Sequence, residues 1–191
     1  MAQQASLPGF AQAATDRLFL ALFPDHGTAD GLAAFAAAQC ARHGLHGRPL
    51  ATDRFHVTLF HLGDSVGLRP DVVEAARAAA AQVGATPFEV VFDQVTSFDA
   101  HREKSPLVLT AEHGNESLHA FRAGLGARLR EMGLGRCVAS GFRPHVTLAY
   151  DRRVIAPAKV AAISWRVEEF VLVHSLLGRT RHIPLARWPL A

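Results

Sequence analysis

The chain has 191 residues, 49% of them apolar and 19% charged, with a formal net charge of +3. That suits one domain or two lobes sharing a core, supplies enough apolar surface to offset chain entropy, and excludes a disordered polyelectrolyte. The charge is uneven: Arg143 to Ala191 holds seven Arg and one Lys against Asp151, Glu168 and Glu169, a net +5 against −2 for the rest, which fits an anionic ligand better than a whole-surface polyanion binder.

Residues 1–16 show neither helical nor strand periodicity and are expected to be a disordered arm, leaving 17–191 as a single domain. The apolar run Leu18 to Phe23 is too short for a membrane span and lacks a basic leader. Cys40 and Cys137 form no C-x-x-C pair, so reduced thiols, a cytoplasmic location and a monomer with no membrane partner are expected.

In chain order, RLFLALF from Arg17 to Phe23 reads as a strand buried on both faces, stopped by Pro24 and Asp25. Thr28 to Arg42 has helical spacing, with Gly44 placed to end it. RFHVTLFHL from Arg54 to Leu62 reads as a strand closed by Gly63 and Asp64. Pro70 opens an Ala-rich helix to Val83. Phe88 to Phe98 and Pro106 to Ala111 read as a hairpin joined by Asp99 to Ser105. Leu118, Phe121, Leu125, Leu129 and Met132 mark an amphipathic helix ending at Gly133. Strands around Arg143 to Tyr150, Trp165 to Leu176 and Ile183 to Trp188 complete an α+β chain with mainly antiparallel pairing.

One internal echo stands out. His56-Val57-Thr58-Leu59 returns 89 positions later as His145-Val146-Thr147-Leu148. Side chains alternate along a strand, so each His shares a face with the Thr two residues on, while Val and Leu turn to the other. A lone strand histidine is usually structural, but two imidazoles facing one cleft are the base and acid of an in-line displacement at phosphorus. Two Thr hydroxyls beside them are donors for the phosphoryl oxygens. No metal is expected: His43 and His46 are two ligands without a third. No phosphate-binding glycine loop of the ATP-dependent type occurs either.

These two motifs, with RLFLALFPD (Arg17 to Asp25), HVTLFHLG (His56 to Gly63), FEVVFDQVTSF (Phe88 to Phe98), RPHVTLAY (Arg143 to Tyr150), FVLVHSLLG (Phe170 to Gly178) and RWPL (Arg187 to Leu190), resemble the 2H phosphoesterases, and among them the bacterial RNA 2′,3′-cyclic phosphodiesterases, also called 2′-5′ RNA ligases. The resemblance implies a bilobal α+β fold, with two antiparallel-rich sheets facing a central cleft and helices outside. It implies His56, His145, Thr58 and Thr147 as catalytic residues. The implied reaction opens 2′,3′-cyclic phosphate ends of RNA or small cyclic nucleotides to 2′-phosphomonoesters, with reversible 2′-5′ ligation and no cofactor. The chain departs from the family at two places: His61 stands where Phe is usual, and Tyr150 where Arg or Lys is usual. Tyr150, His61, Arg143, Arg152 and Arg153 are the candidate substrate-binding residues. Arg152, Arg153, Arg179 and Arg181 are the candidates to restore the missing cation. His61, His174 and His182 are further candidates to extend the site, against the structural role that strand histidines outside such a repeat more often have.

Overall fold

A computed structural model describes residues 12–98 and 103–191; most of the expected arm and part of the Asp99 to Ser105 connection lie outside those residues. The elements are β1 (Asp16–Leu22), α1 (His26–His43), β2 (Val57–Ser65), α2 (Pro70–Ala80), β3 (Phe88–Ser97), β4 (Ser105–Thr110), α3 (Glu116–Glu131), β5 (His145–Asp151), β6 (Ala158–Val167), β7 (Glu169–Leu176) and β8 (Arg181–Pro189), with single 3-10 turns at Thr52–Arg54 and Gly135–Cys137.

All strand pairings are antiparallel, in the order β6-β3-β4-β5-β2-β1-β7-β8. The expected pair of sheets is therefore one eight-stranded sheet made of two four-stranded halves. The halves meet at β2 and β5 through a single registered pair, Val57 with Val146. Outward of that seam β5 pairs with β4 from His145 to Asp151, and β2 pairs with β1 from Val57 to Ser65.

The core lies on the strand faces opposite the histidines. Val57, Leu59, Val146 and Leu148 are buried there with Leu32 and Ala36 of α1, Val73 and Ala76 of α2 and Leu118, Leu125 and Leu129 of α3. Helix α1 starts where the Asp25 carboxylate accepts from the Thr28 amide (2.9 Å) and stops at Gly44, whose left-handed φ of 60° suits a residue without Cβ. Strand β1 is buried on both faces as its continuous apolar run predicts. Leu18, Leu20 and Leu22 join the main core, and Phe19 and Ala21 pack with Val171 and Val173 on the other side.

Two expectations need correction. The run Trp165 to Leu176 is two strands, broken at Glu168: β6 pairs with β3 at one edge of the sheet, and β7 with β1 and β8 in the other half. The change in burial marks the crossing, since Trp165, Arg166 and Val167 alternate buried and exposed whereas Phe170 to Ser175 are buried throughout. An apolar-rich run with strand propensity on both sides of two glutamates hides such a crossing. The boundary at residue 17 also moves. Asp16 is the first residue of β1, buried, and its carboxylate pairs with Nε2 of the buried His174 at 2.5 Å. The Thr15 amide already bonds the Ser65 carbonyl.

The segment between α1 and β2 is fastened over the end of β5. The Asp151 carboxylate accepts from the amides of His46 and Gly47 (2.7 and 2.6 Å), and the Leu50 amide donates to the Leu148 carbonyl (2.8 Å). A Cβ on Gly47 would stand 2.0 Å from the Tyr150 carbonyl oxygen. Gly47→Ala should therefore lower stability by about 1–3 kcal/mol in urea denaturation. Gly31→Ala on α1, where no atom lies within 4 Å of the added methyl, should raise it by up to about 1 kcal/mol.

Candidate active site

The seam carries the site. Val57 and Val146 are paired and buried on the core side, so by alternation the residues flanking them, His56 and Thr58 in one motif and His145 and Thr147 in the other, turn to the opposite face. All four line one cavity of about 420 Å³, with Phe19, Arg17, Arg54, Tyr150, His61 and His182 among its walls.

The two histidines are held alike. His56 Nδ1 donates to the Arg54 carbonyl (2.7 Å) and His145 Nδ1 to the Arg143 carbonyl (2.8 Å). A carbonyl can only accept, so Nδ1 carries the proton and the neutral ring keeps a lone pair on Nε2. The His56 ring stacks on Phe19 (centroids 5.0 Å apart) with Phe23 beside it, and His145 meets the edge of Phe98 at 4.8 Å. Burial among these rings pushes His56 down to about 4, against the pull of the Arg54 carbonyl, and the charges of His182, Arg54 and His145 add to the shift. His145 is lowered by the same desolvation, with Arg143 adding to it. Both rings are neutral at pH 7.

The cations of the cavity are not the ones sequence reading named. Arg152 pairs with Glu103, and Arg153 Nη1 donates to the His43 carbonyl (2.7 Å); neither lines the cavity. Arg179 and Arg181 flank Thr180, which does line it, but they themselves do not. Arg17 and Arg54 line it instead. Arg17 donates two bonds of 2.7 Å to Asp64, whose carboxyl is thereby held far below the usual carboxylate range, and His61 Nε2 shares the same carboxylate at 2.8 Å. Arg54 Nε donates to His182 Nε2 (3.0 Å). The exposed Tyr150 ring completes the wall.

His182, one of the three further candidates, belongs to the cleft, with its ring edge-on to His56 at 5.4 Å. Burial first, then the positive charge of Arg54, pushes it down to about 4, so it accepts from Arg54 as a neutral ring. His174 does prove structural, buried against Asp16. A signal for Arg54 was present: the echo is longer than four residues, reading R-x-H-V-T-L from both Arg54 and Arg143. Nothing local could place Arg17 or His182, since β1 and β8 reach the cleft only through their positions in the sheet.

The geometry has a consequence for stability. The ordinary His value is 6.5, and His56 and His182 lie near 4 in the folded protein. Their contribution is complete above 6.5. Between 6.5 and 4 the unfolded chain takes up protons that the folded one refuses, so stability falls as pH drops through that window. The urea midpoint should decline from pH 7 to 4.5, and His182→Gln, which keeps an acceptor for Arg54 but does not titrate, should make the decline shallower.

Comparison with known proteins adds the following. The family model of the 2′-5′ RNA ligase superfamily matches residues 28–179. The RNA 2′,3′-cyclic phosphodiesterase of Escherichia coli (strain K12) is 30% identical over 164 residues, covering 75% of this chain and 80% of that protein. The crystal structure of E. coli LigT in apo form superposes with a TM-score of 0.71 at 24% identity, over 94% of this chain and 99% of that one. The complex of E. coli LigT with 3′-AMP gives 0.69 at 25% identity, over 93% and 99%.

Proposed function

This chain belongs to the 2′-5′ RNA ligase superfamily, and we propose that it is a phosphodiesterase that opens 2′,3′-cyclic phosphate ends of RNA or nucleotides to 2′-phosphomonoesters through His56 and His145. The observation that carries this reading is the meeting of the two motifs in one cavity: His56 and His145, each with Nδ1 tied to a carbonyl so that Nε2 is the nitrogen left for proton transfer, line it together with Thr58 and Thr147.

In the proposed reaction one neutral imidazole takes a proton from water as its oxygen bonds to phosphorus. The P–O3′ bond breaks, and the other imidazole, protonated, gives its proton to the departing O3′. Thr58 and Thr147 donate to the non-bridging oxygens, where charge builds up in the transition state. An anionic phosphate between the rings favours protonation of one of them, countering the desolvation that keeps both neutral in the free protein. The same steps with a 5′-hydroxyl in place of water as the attacking group join P to O5′, release O3′ and give a 2′-5′ linkage; run backwards, with O3′ attacking and O5′ leaving, they cleave that linkage and restore the cyclic phosphate. Arg54, whose side-chain partner is the neutral His182, supplies the positive field that the family's usual Arg or Lys at the position of Tyr150 would provide, while the charge of Arg17 is balanced by Asp64.

Replacing His56 or His145 by Ala should lower turnover of a 2′,3′-cyclic nucleotide by about 10² to 10⁴, and replacing Thr58 or Thr147 by Ala by about 10² to 10³ at most. The double histidine variant should be little worse than the poorer single one, because groups acting in one step are not additive. Turnover should persist in EDTA. Near-wild-type turnover in folded His→Ala variants would instead indicate a binding module without acid-base catalysis.

The pH dependence is a separate check. The profile of kcat/KM reports the free enzyme, in which both histidines are lowered. A bell with both limbs on the acid side of 6.5 is expected, and the limbs of kcat, which report the complex, should lie at higher pH. A kcat/KM bell centred well above 6.5 would contradict the assignment.

A further inference from the structure

Beside the cleft lies a second and larger cavity, of about 810 Å³, that shares Thr58 and His145 with the first. Space is therefore available beside His145 in both cavities, while His56 lines the first of them. Cavities of roughly 300–1,000 Å³ accept compact organic ligands, so each can take one nucleotide unit. The wall of the second is the turn from Ala139 to Arg143, with Phe98 and the 154–157 segment, and among the described residues it carries Arg122 and Arg143 and no carboxylate.

The two arginines are held differently. Arg122 is sandwiched between the rings of Phe60 and Phe142 (4.4 and 4.3 Å to the centroids), and its Nε and Nη2 donate to the carbonyls of Leu59 and Ala139 (3.0 and 3.2 Å). It is a fixed charge that also shapes the turn. Arg143 is exposed, with its guanidinium over the Phe98 ring at 4.5 Å, and no side-chain hydrogen bond or ion pair engages it among the described residues. A guanidinium seated on a ring can offer its other face to a base and its edge N–H groups to a phosphate.

Ribose chemistry links the two cavities. The C2′–C3′ edge that carries a cyclic phosphate has the base on its C1′ side and the 5′-linked chain on its C4′ side. A cyclic phosphate held between His56 and His145 thus sends the terminal base one way and the preceding nucleotide the other. We propose that the second cavity is a subsite for the nucleotide preceding the cyclic-phosphate end, with its base stacked on Arg143 above Phe98 and the linking phosphate held by Arg143. The preferred substrate is then an RNA end of two or more nucleotides and not a free cyclic mononucleotide. This inference rests on the reading of the first cleft as the cyclic-phosphate site.

The test compares a 2′,3′-cyclic mononucleotide with a dinucleotide ending in the same cyclic nucleotide. For the wild type, kcat/KM should be at least about tenfold higher on the dinucleotide, the low end of what one stacked base contributes. That ratio should fall about tenfold in Arg143→Ala and in Ser140→Trp, which places bulk on the exposed rim of the cavity. Equal kcat/KM on both substrates in the wild type, or a ratio that neither variant changes, would overturn the subsite. Calorimetric binding of the two corresponding 2′-phosphate products reads it independently of turnover. If neither substrate is opened and the longer product still binds more tightly, the proposed reaction fails and the subsite stands. If the two products bind equally, the subsite fails whatever the turnover.

Discussion

The antiparallel contact of Val57 with Val146 is the constraint on which the site depends. Each half of the sheet is a four-stranded unit, and this one registered pair brings the two copies of R-x-H-V-T-L together. The pairing is strongly specified because Val57, Leu59, Val146 and Leu148 are all buried on the core side. A slip of β2 by one residue would turn Val57 and Leu59 toward the cleft and drive His56 and Thr58 into an apolar interior, and a slip of β5 would do the same to the other motif. The packing that stabilises the seam is thus the same packing that aims the four His and Thr side chains into one cavity.

Around that seam several polar groups have a partner that leaves one function free. The carbonyls of Arg54 and Arg143 take the Nδ1 protons and leave Nε2 of each imidazole available. Neutral His182 accepts from Arg54 Nε and so orients the guanidinium without cancelling its charge. Asp64 engages both Arg17 and His61, which ties the edge of β2 to β1 where the wall of the cleft begins. The apolar floor of Phe19 and Phe23 keeps water from His56, which strengthens every electrostatic interaction made there.

Much of the architecture was legible because local rules and global packing agree. The two-sided burial of β1, the Pro70 start of α2, the β3 and β4 hairpin and the Leu118 to Leu129 stripe of α3 all follow from periodicity and caps that tertiary contacts merely confirm. Where the reading failed, two different structures share one local pattern. The stretch from Trp165 to Leu176 has strand propensity throughout, and only its pairing partners, β3 on one side of Glu168 and β1 on the other, reveal that the chain crosses the molecule there. Asp16 looks like a loop acid until His174, far along the chain, is brought against it.

The sequence by itself determined the chemistry at the seam. Period-two alternation sets His with Thr and apart from Val and Leu, and the duplicated motif supplies two such pairs, because a side chain's face on a strand depends only on its own neighbours. Tertiary structure alone decided which polar groups reach that chemistry. Arg17, Arg54 and His182 come from β1, the turn before β2, and β8, and they share a cavity only because strand order places those segments side by side. The basic C-terminal quarter pointed to Arg152 and Arg153, which are turned to Glu103 and the His43 carbonyl, whereas the guanidinium groups lining the first cavity are those of Arg17 and Arg54. Net charge along a segment says nothing about direction, and direction is set by what each long, flexible side chain finds within reach after the strands have paired.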